Sequence, residues 1–248
     1  NERVYIGVLN RGQDHLQFNE YNALNGEYLQ TIFEDKDEQY VEPVGPAHFL
    51  PNSTNEFLWI AQRDGFYHIW KHNVNNKKAK QITKGEFVIT AFNGFDAKGE
   101  NIYYTSTEVS PLERHYYKHN LKNGKKVKIT KEHGTHNVLP SASGKYFLDN
   151  YSSTDVARNV DIADAKGNFV KRLHEAVDPL KDYNIGTIEL GELKAEDGQT
   201  LYTRMIKPYN FDENKKYPVI IYVYGGPHAQ MITDEWTAGA GIYLHYLS

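Results

Sequence analysis

His68-Ile69-Trp70-Lys71-His72-Asn73 returns as His115-Tyr116-Tyr117-Lys118-His119-Asn120, an offset of 47 residues. At the same offset Gln81-Ile82-Thr83-Lys84 returns as Lys128-Ile129-Thr130-Lys131. Two segments recurring in one register are hard to ascribe to chance, and self-similarity at a fixed period marks a repeat architecture. The flanks agree. Phe57-Leu58-Trp59-Ile60-Ala61 followed by Arg63-Asp64-Gly65 reads as strand and turn, and Asn101-Ile102-Tyr103-Tyr104-Thr105 followed by Glu108 to Glu113 reads as strand and longer loop.

Working outward, a degraded copy runs through Ser143-Gly144, Lys145 to Asn150, Asn159 to Ala163 and Asn168 to Leu173. An earlier one runs through Tyr5 to Leu9, His15 to Tyr21 and Tyr28 to Phe33. The turn pairs Asn25-Gly26, Asp64-Gly65, Asn123-Gly124 and Lys166-Gly167 supply the positive φ that two-residue hairpins need. Units of about 40–50 residues with three or four short strands describe β-propeller blades; a β-sandwich with accidental periodicity is the alternative. The expected fold is mostly β, a partial propeller of about four blades. The first begins abruptly, so a seven- or eight-bladed ring would need blades upstream of residue 1.

The pattern changes near Glu175. Asp178 to Tyr183 reads as a linking turn, and Ile188 to Lys194 and Thr200 to Lys207 flank the hairpin turn Glu196-Asp197-Gly198. Tyr217-Pro218-Val219-Ile220-Ile221-Tyr222-Val223-Tyr224 is a nearly continuous apolar run, the pattern of a strand buried on both faces in an α/β sheet. The expected domains are therefore 1–183, propeller, and 184–248, the first strands of an α/β domain.

Composition excludes several classes. The 248 residues carry 40% hydrophobic and 24% charged side chains, too apolar for disorder. No apolar stretch nears the roughly 20 residues of a membrane-spanning helix. A net charge of −4 without a basic patch argues against a nucleic-acid partner. The absence of cysteine removes disulfides, thiol nucleophiles and zinc–thiolate sites. Aromatic residues at 13% suit pleated, half-buried surfaces. The start, Arg3 to Leu9, reads as a strand rather than a signal peptide, as at a fragment boundary or processed end.

Chemistry concentrates at Tyr222-Val223-Tyr224-Gly225-Gly226-Pro227-His228-Ala229-Gln230. Glycines after a buried strand permit a sharp turn and close backbone approach, and ligands of α/β sheets gather at the carboxyl ends of strands. Tyr224 is either a hydroxyl donor to a developing oxyanion or a core aromatic before an ordinary turn; the residues alone leave both open.

Lys216-Tyr217-Pro218, the apolar run and Tyr224-Gly225-Gly226-Pro227 resemble the start of the hydrolase domain of the prolyl oligopeptidase family, and more narrowly its dipeptidyl-peptidase IV branch in bacterial form. Arg63-Asp64-Gly65-Phe66-Tyr67-His68-Ile69 and Ile82-Thr83-Lys84-Gly85-Glu86-Phe87-Val88 resemble that branch's blade pattern. The resemblance implies an eight-bladed propeller capping an α/β-hydrolase that releases N-terminal Xaa-Pro or Xaa-Ala dipeptides with a Ser-Asp-His triad. It gives Tyr224 the oxyanion-hole role. It also implies peptide substrates with a free N-terminus, a homodimeric full-length protein, a periplasmic, cell-envelope or secreted location, and no cofactor.

No Gly-x-Ser-x-Gly occurs in the sequence. The nucleophile elbow is absent, as are the triad Asp and His that follow it in that fold; the glutamates that bind the substrate amine lie in an earlier propeller segment. The chain alone is expected to be inactive. A non-catalytic propeller serving as a binding platform is the alternative function. Asp212-Glu213 and Asp234-Glu235 read as solvated loop charges. His68/His72 and His115/His119 stand about 13 Å apart on a strand, too far for one metal ion. Gly239-Ala240-Gly241 is half a dinucleotide fingerprint. His228 reads as a structural loop residue, and Asn52 and Asn150 open sequons that matter only in a eukaryotic secretory setting.

Overall fold

The computed structural model describes residues 2–226 and 229–248. Antiparallel sheets dominate. The first holds β1 (Arg3–Leu9), β2 (His15–Asn22) and β3 (Tyr28–Lys36); the second holds β4 (His48–Phe49), β5 (Glu56–Ala61), β6 (His68–Asn73) and β7 (Ala79–Gln81). A third sheet runs through β8 (Ile89–Phe95), β9 (Asn101–Ser106), β10 (His115–Asn120) and β11 (Lys126–Lys128). A fourth runs through β12 (Thr135–Pro140), β13 (Tyr146–Ser153), β14 (Val156–Asp164) and β15 (Phe169–Glu175). In each, sequence neighbours are spatial neighbours. A separate hairpin follows, β16 (Ile188–Lys194) with β17 (Thr200–Ile206), and then the short helix α1 (Ile242–Tyr246).

The chain forms two compact units. One comprises residues up to Glu108 together with Lys118–Lys126, and the other Val109–Tyr117 with Val127–Ser248. Residues of β10 and β11 therefore fall in both. No helix among the described residues is long and apolar enough to cross a membrane.

The 47-residue period holds at the level of single hydrogen bonds. Ile82 N–H donates to Ile69 O at 2.8 Å, and Ile129 N–H donates to Tyr116 O at 2.8 Å. The pairs Ile69/Tyr116 and Ile82/Ile129 thus occupy equivalent strand positions. Thr83 Oγ1 accepts from Ile69 N at 2.9 Å and lies 3.1 Å from His68 Nδ1. Thr130 Oγ1 does the same for Tyr116 N and His115 Nδ1, at 3.2 and 2.9 Å. Each imidazole is fully buried, so each ring nitrogen needs a partner. Nε2 of His68 faces Gly85 O, and Nε2 of His115 faces the Glu113 carboxylate. These acceptors assign the proton to Nε2 and leave Nδ1 to accept from the threonine hydroxyl.

In the first unit the core is aromatic. Phe18 lies 5.2–5.3 Å, ring to ring, from Phe33, Phe57 and Trp59. His72 stacks 4.4 Å from Phe33 and 5.1 Å from Phe57. Burial, reinforced by the Arg63 guanidinium, holds its pKa down to about 3. The neutral ring accepts from Arg63 Nη1 through Nε2 at 3.1 Å.

The hairpin turns differ from the two-residue form expected. Residues 23–27, 74–78 and 121–125 separate the strands of three successive repeats. An asparagine at each strand end explains the length. Asn22, Asn73 and Asn120 accept through Oδ1 from the N–H two residues on, at 2.8, 3.0 and 3.1 Å. Asn25, Asn76 and Asn123 repeat the device at 3.1, 3.0 and 2.9 Å. Such side-chain turns satisfy backbone donors that a tighter hairpin would give to its partner strand. The residue after the second asparagine is left-handed: Gly26 (φ 73°), Lys77 (φ 56°) and Gly124 (φ 71°).

Lys77 thus occupies a glycine position. Left-handed backbone costs an L-residue about 1–2 kcal/mol, partly offset because glycine loses more freedom on folding. Lys77→Gly is expected to raise the unfolding free energy by about 0.5–1 kcal/mol, and Gly124→Ala to lower it by about 1 kcal/mol. A Cβ at residue 124 meets nothing within 4 Å, so the second change tests backbone conformation alone. Urea midpoints of the two variants should move in opposite directions.

Candidate functional site

The apolar run Tyr217–Tyr224 departs from its expected place as a doubly buried strand. It joins no sheet, and Val219, Ile221 and Val223 are 81, 85 and 73% exposed. Strand character needs a neighbouring ladder, and no described residues pair with this run. Tyr224 is 58% exposed at its end. Gly225 follows in the left-handed region (φ 66°), and the Tyr224 ring lies back over Gly226: a Cβ at residue 226 would meet ring carbon Cε1 at 2.8 Å. The two glycines have separate uses, one to turn the chain and one to leave room for the ring. Pro227 and His228 lie outside the described residues.

Beyond this turn the second unit holds the chain firmly. Gln230 Nε2 donates to Pro111 O at 2.8 Å, and Arg114 Nη2 donates to Gln230 Oε1. Asp234 N–H donates to Leu112 O at 2.8 Å. Asp234 Oδ1 accepts from Thr154 N at 2.9 Å, and Oδ2 lies 2.8 Å from His133 Nδ1. Trp236 N–H donates to Ser152 Oγ at 2.8 Å. Arg204 on β17 closes the far side, donating to Met231 O at 3.0 Å and Ala238 O at 2.6 Å.

Asp234 therefore corrects the reading of Asp234-Glu235 as solvated charges: it is 9% exposed, with both carboxylate oxygens engaged. Its partners stand about 80 and 100 residues away in sequence, so no local pattern announces them. Asp212 does behave as a loop residue, accepting from Asn214 N at 3.0 Å. After Glu235, Trp236–Gly239 forms a 3-10 turn in which Thr237 and Ala238 take positive φ of 61° and 51°. Gly239-Ala240-Gly241 ends this turn and leads into α1.

His133 also reaches Asp155, Nε2 to Oδ1 at 3.0 Å. Hydrogen bonding to Asp234 raises its pKa above 6.5, with Asp155 and Glu113 adding to the effect. Among the described residues no group of three or more His, Asp or Glu side chains is arranged to hold a metal ion. The repeat histidines His68 and His115 are instead hydrogen-bonded to Thr83 and Thr130.

Repeated antiparallel sheets followed by a tyrosine–glycine turn define a mostly-β repeat protein. Comparison with known proteins narrows that class. The sequence profile of the dipeptidyl peptidase IV (DPP IV) N-terminal region matches residues 1–158, and the chain belongs to this family. Dipeptidyl peptidase 4 of Arthroderma otae is 30% identical over 193 residues, covering 75% of this chain and 25% of that protein. Among solved structures, a Bacteroides ovatus protein assigned as a dipeptidyl aminopeptidase IV superposes with a TM-score of 0.91 at 35% identity. That match covers 99% of this chain and 38% of the other. Porphyromonas gingivalis dipeptidyl peptidase 4 gives a TM-score of 0.86 at 27% identity, covering 99% and 35%. The chain spans about a quarter of the length of the curated relatives it matches.

Proposed function

We propose that this chain is part of a serine exopeptidase that releases Xaa-Pro or Xaa-Ala dipeptides from the free N-terminus of peptides. Residues 1–183 would be the later blades of an eight-bladed propeller and 184–248 the start of the α/β-hydrolase domain. Family membership supports the peptidase class. The observation that carries the site is Tyr224: an exposed phenol on a glycine turn, a few residues before a segment fixed by hydrogen bonds. In this reading its hydroxyl donates to the oxyanion formed when a serine attacks the scissile carbonyl. Such a donor accelerates the reaction because the oxygen carries more charge in the transition state than in the substrate. The serine, aspartate and histidine are supplied by sequence other than this chain, which has no Gly-x-Ser-x-Gly. The full-length protein would act as a homodimer in the periplasm, at the cell envelope or outside the cell.

The test is chromogenic. Full-length protein should release p-nitroaniline from Gly-Pro and Ala-Pro anilides, and this chain alone should not. An inert full-length protein beside an active control peptidase overturns the reading. Turnover that stays with the purified chain overturns its inactivity.

A further inference from the structure

Asp234 is a buried carboxylate on a strap, residues 230–236, that begins four residues after Gly226. Its strongest side-chain partner, His133, is itself bracketed by Asp155, so the imidazole lies between two carboxylates, at 2.8 and 3.0 Å. The two are unequally placed: the Asp234 side chain is 12% exposed and that of Asp155 is 72%. Thr154 N, in the β13–β14 turn that carries Asp155, and Ser152 Oγ, near the end of β13, both bind the strap. A neutral imidazole can donate through only one nitrogen, whereas the cation donates through both.

We propose that His133 is a positioning residue: with Asp155 and Asp234 it forms an ionic latch that fastens strap 230–236 to the β13–β14 turn and thereby fixes the neighbouring Tyr224 loop. The latch follows from geometry alone. Its effect on Tyr224 rests on the oxyanion reading given above. Asp155, Asp234 and Glu113 are the charged groups that act on His133, and all three favour the cation. Hydrogen bonding from Ser153, with His133 adding to it, lowers the pKa of Asp155, so the outer carboxylate is ionised throughout the neutral range. The sign is fixed by the raised histidine pKa. With its carboxylates ionised, the latch is complete at mildly acidic pH below 6.5 and loosens as pH rises through the higher folded value.

Hydrogen–deuterium exchange tests the latch on the intact protein, reading peptides within 230–240 and correcting intrinsic rates with an unstructured peptide of the same sequence. Protection in the parent should be roughly tenfold greater at about pH 6 than at about pH 9, the scale of one charge-assisted hydrogen bond. His133→Gln should remove this pH dependence while leaving protection of β13 unchanged. Asp155→Asn, at a mostly exposed site with little risk of misfolding, should reduce it. Equal protection at both pH values in the parent, or dependence that survives His133→Gln, overturns the latch. In the active full-length enzyme at about pH 7, His133→Gln should lower kcat about tenfold with KM nearly constant. Altered exchange with unchanged kcat overturns the link to Tyr224 and keeps the latch. An inactive parent refutes the peptidase reading, and the exchange result still decides the latch.

Discussion

Asp35→Ala is expected to lower the unfolding free energy by about 3–5 kcal/mol, the usual consequence of leaving one member of a buried ion pair alone. Arg63 meets Asp35 with both prongs of its guanidinium, Nε to Oδ1 at 2.6 Å and Nη2 to Oδ2 at 3.2 Å. The side chains keep only 20 and 12% of their exposure. The guanidinium carbon also lies 5.2 Å from the centre of the Phe33 ring and 5.0 Å from that of Trp70, and Nη1 donates to neutral His72. These contacts hold the guanidinium in place when the carboxylate is lost. Arg63→Lys should also be costly, because an ammonium matches neither the carboxylate fork nor the stacking surfaces. Urea unfolding followed by tryptophan fluorescence in a Trp236→Phe background, which leaves Trp59 and Trp70, reads both changes in the first unit. A loss under about 1 kcal/mol for Asp35→Ala would place the pair among exposed ion pairs and remove its structural importance.

That pair also shows which parts of the fold were legible in the sequence. Arg63-Asp64-Gly65 reads as the turn after a strand, and the recurrence of His68 to Asn73 at His115 to Asn120 reports equivalent strands. Equivalent backbone and threonine–histidine bonds recur at both sites, so one strand-and-turn geometry leaves a linear trace. The turns were read through their glycines, yet asparagines at positions 22, 73 and 120 set loop length, and Lys77 breaks the glycine pattern without breaking the turn. The apolar run before Tyr224 reads as a buried strand yet joins no sheet and is exposed, because a hydrophobic pattern does not by itself supply a pairing partner. Asp234 left no trace, because its burial depends on His133 and Thr154, brought near only by the tertiary fold.

On the proposed oxyanion role, Tyr224→Phe in the full-length protein is expected to lower kcat by about 10²–10³, or about 2.7–4 kcal/mol in activation free energy, the range for removing one oxyanion donor. The ring is retained, so packing over Gly226 is undisturbed and only the hydroxyl is lost. KM should change little, because the interaction strengthens when the carbonyl oxygen becomes an oxyanion. A tyrosine used only for packing predicts another pattern, a nearly intact kcat with at most a change in melting temperature. Tyr224→Ala separates the contributions further. If the hydroxyl carries the effect, alanine should be about as slow as phenylalanine; if ring position matters too, alanine should be slower still. A phenylalanine variant within about threefold of the parent kcat would fall well short of a donor's contribution, and the oxyanion role would then have to pass to backbone amides alone.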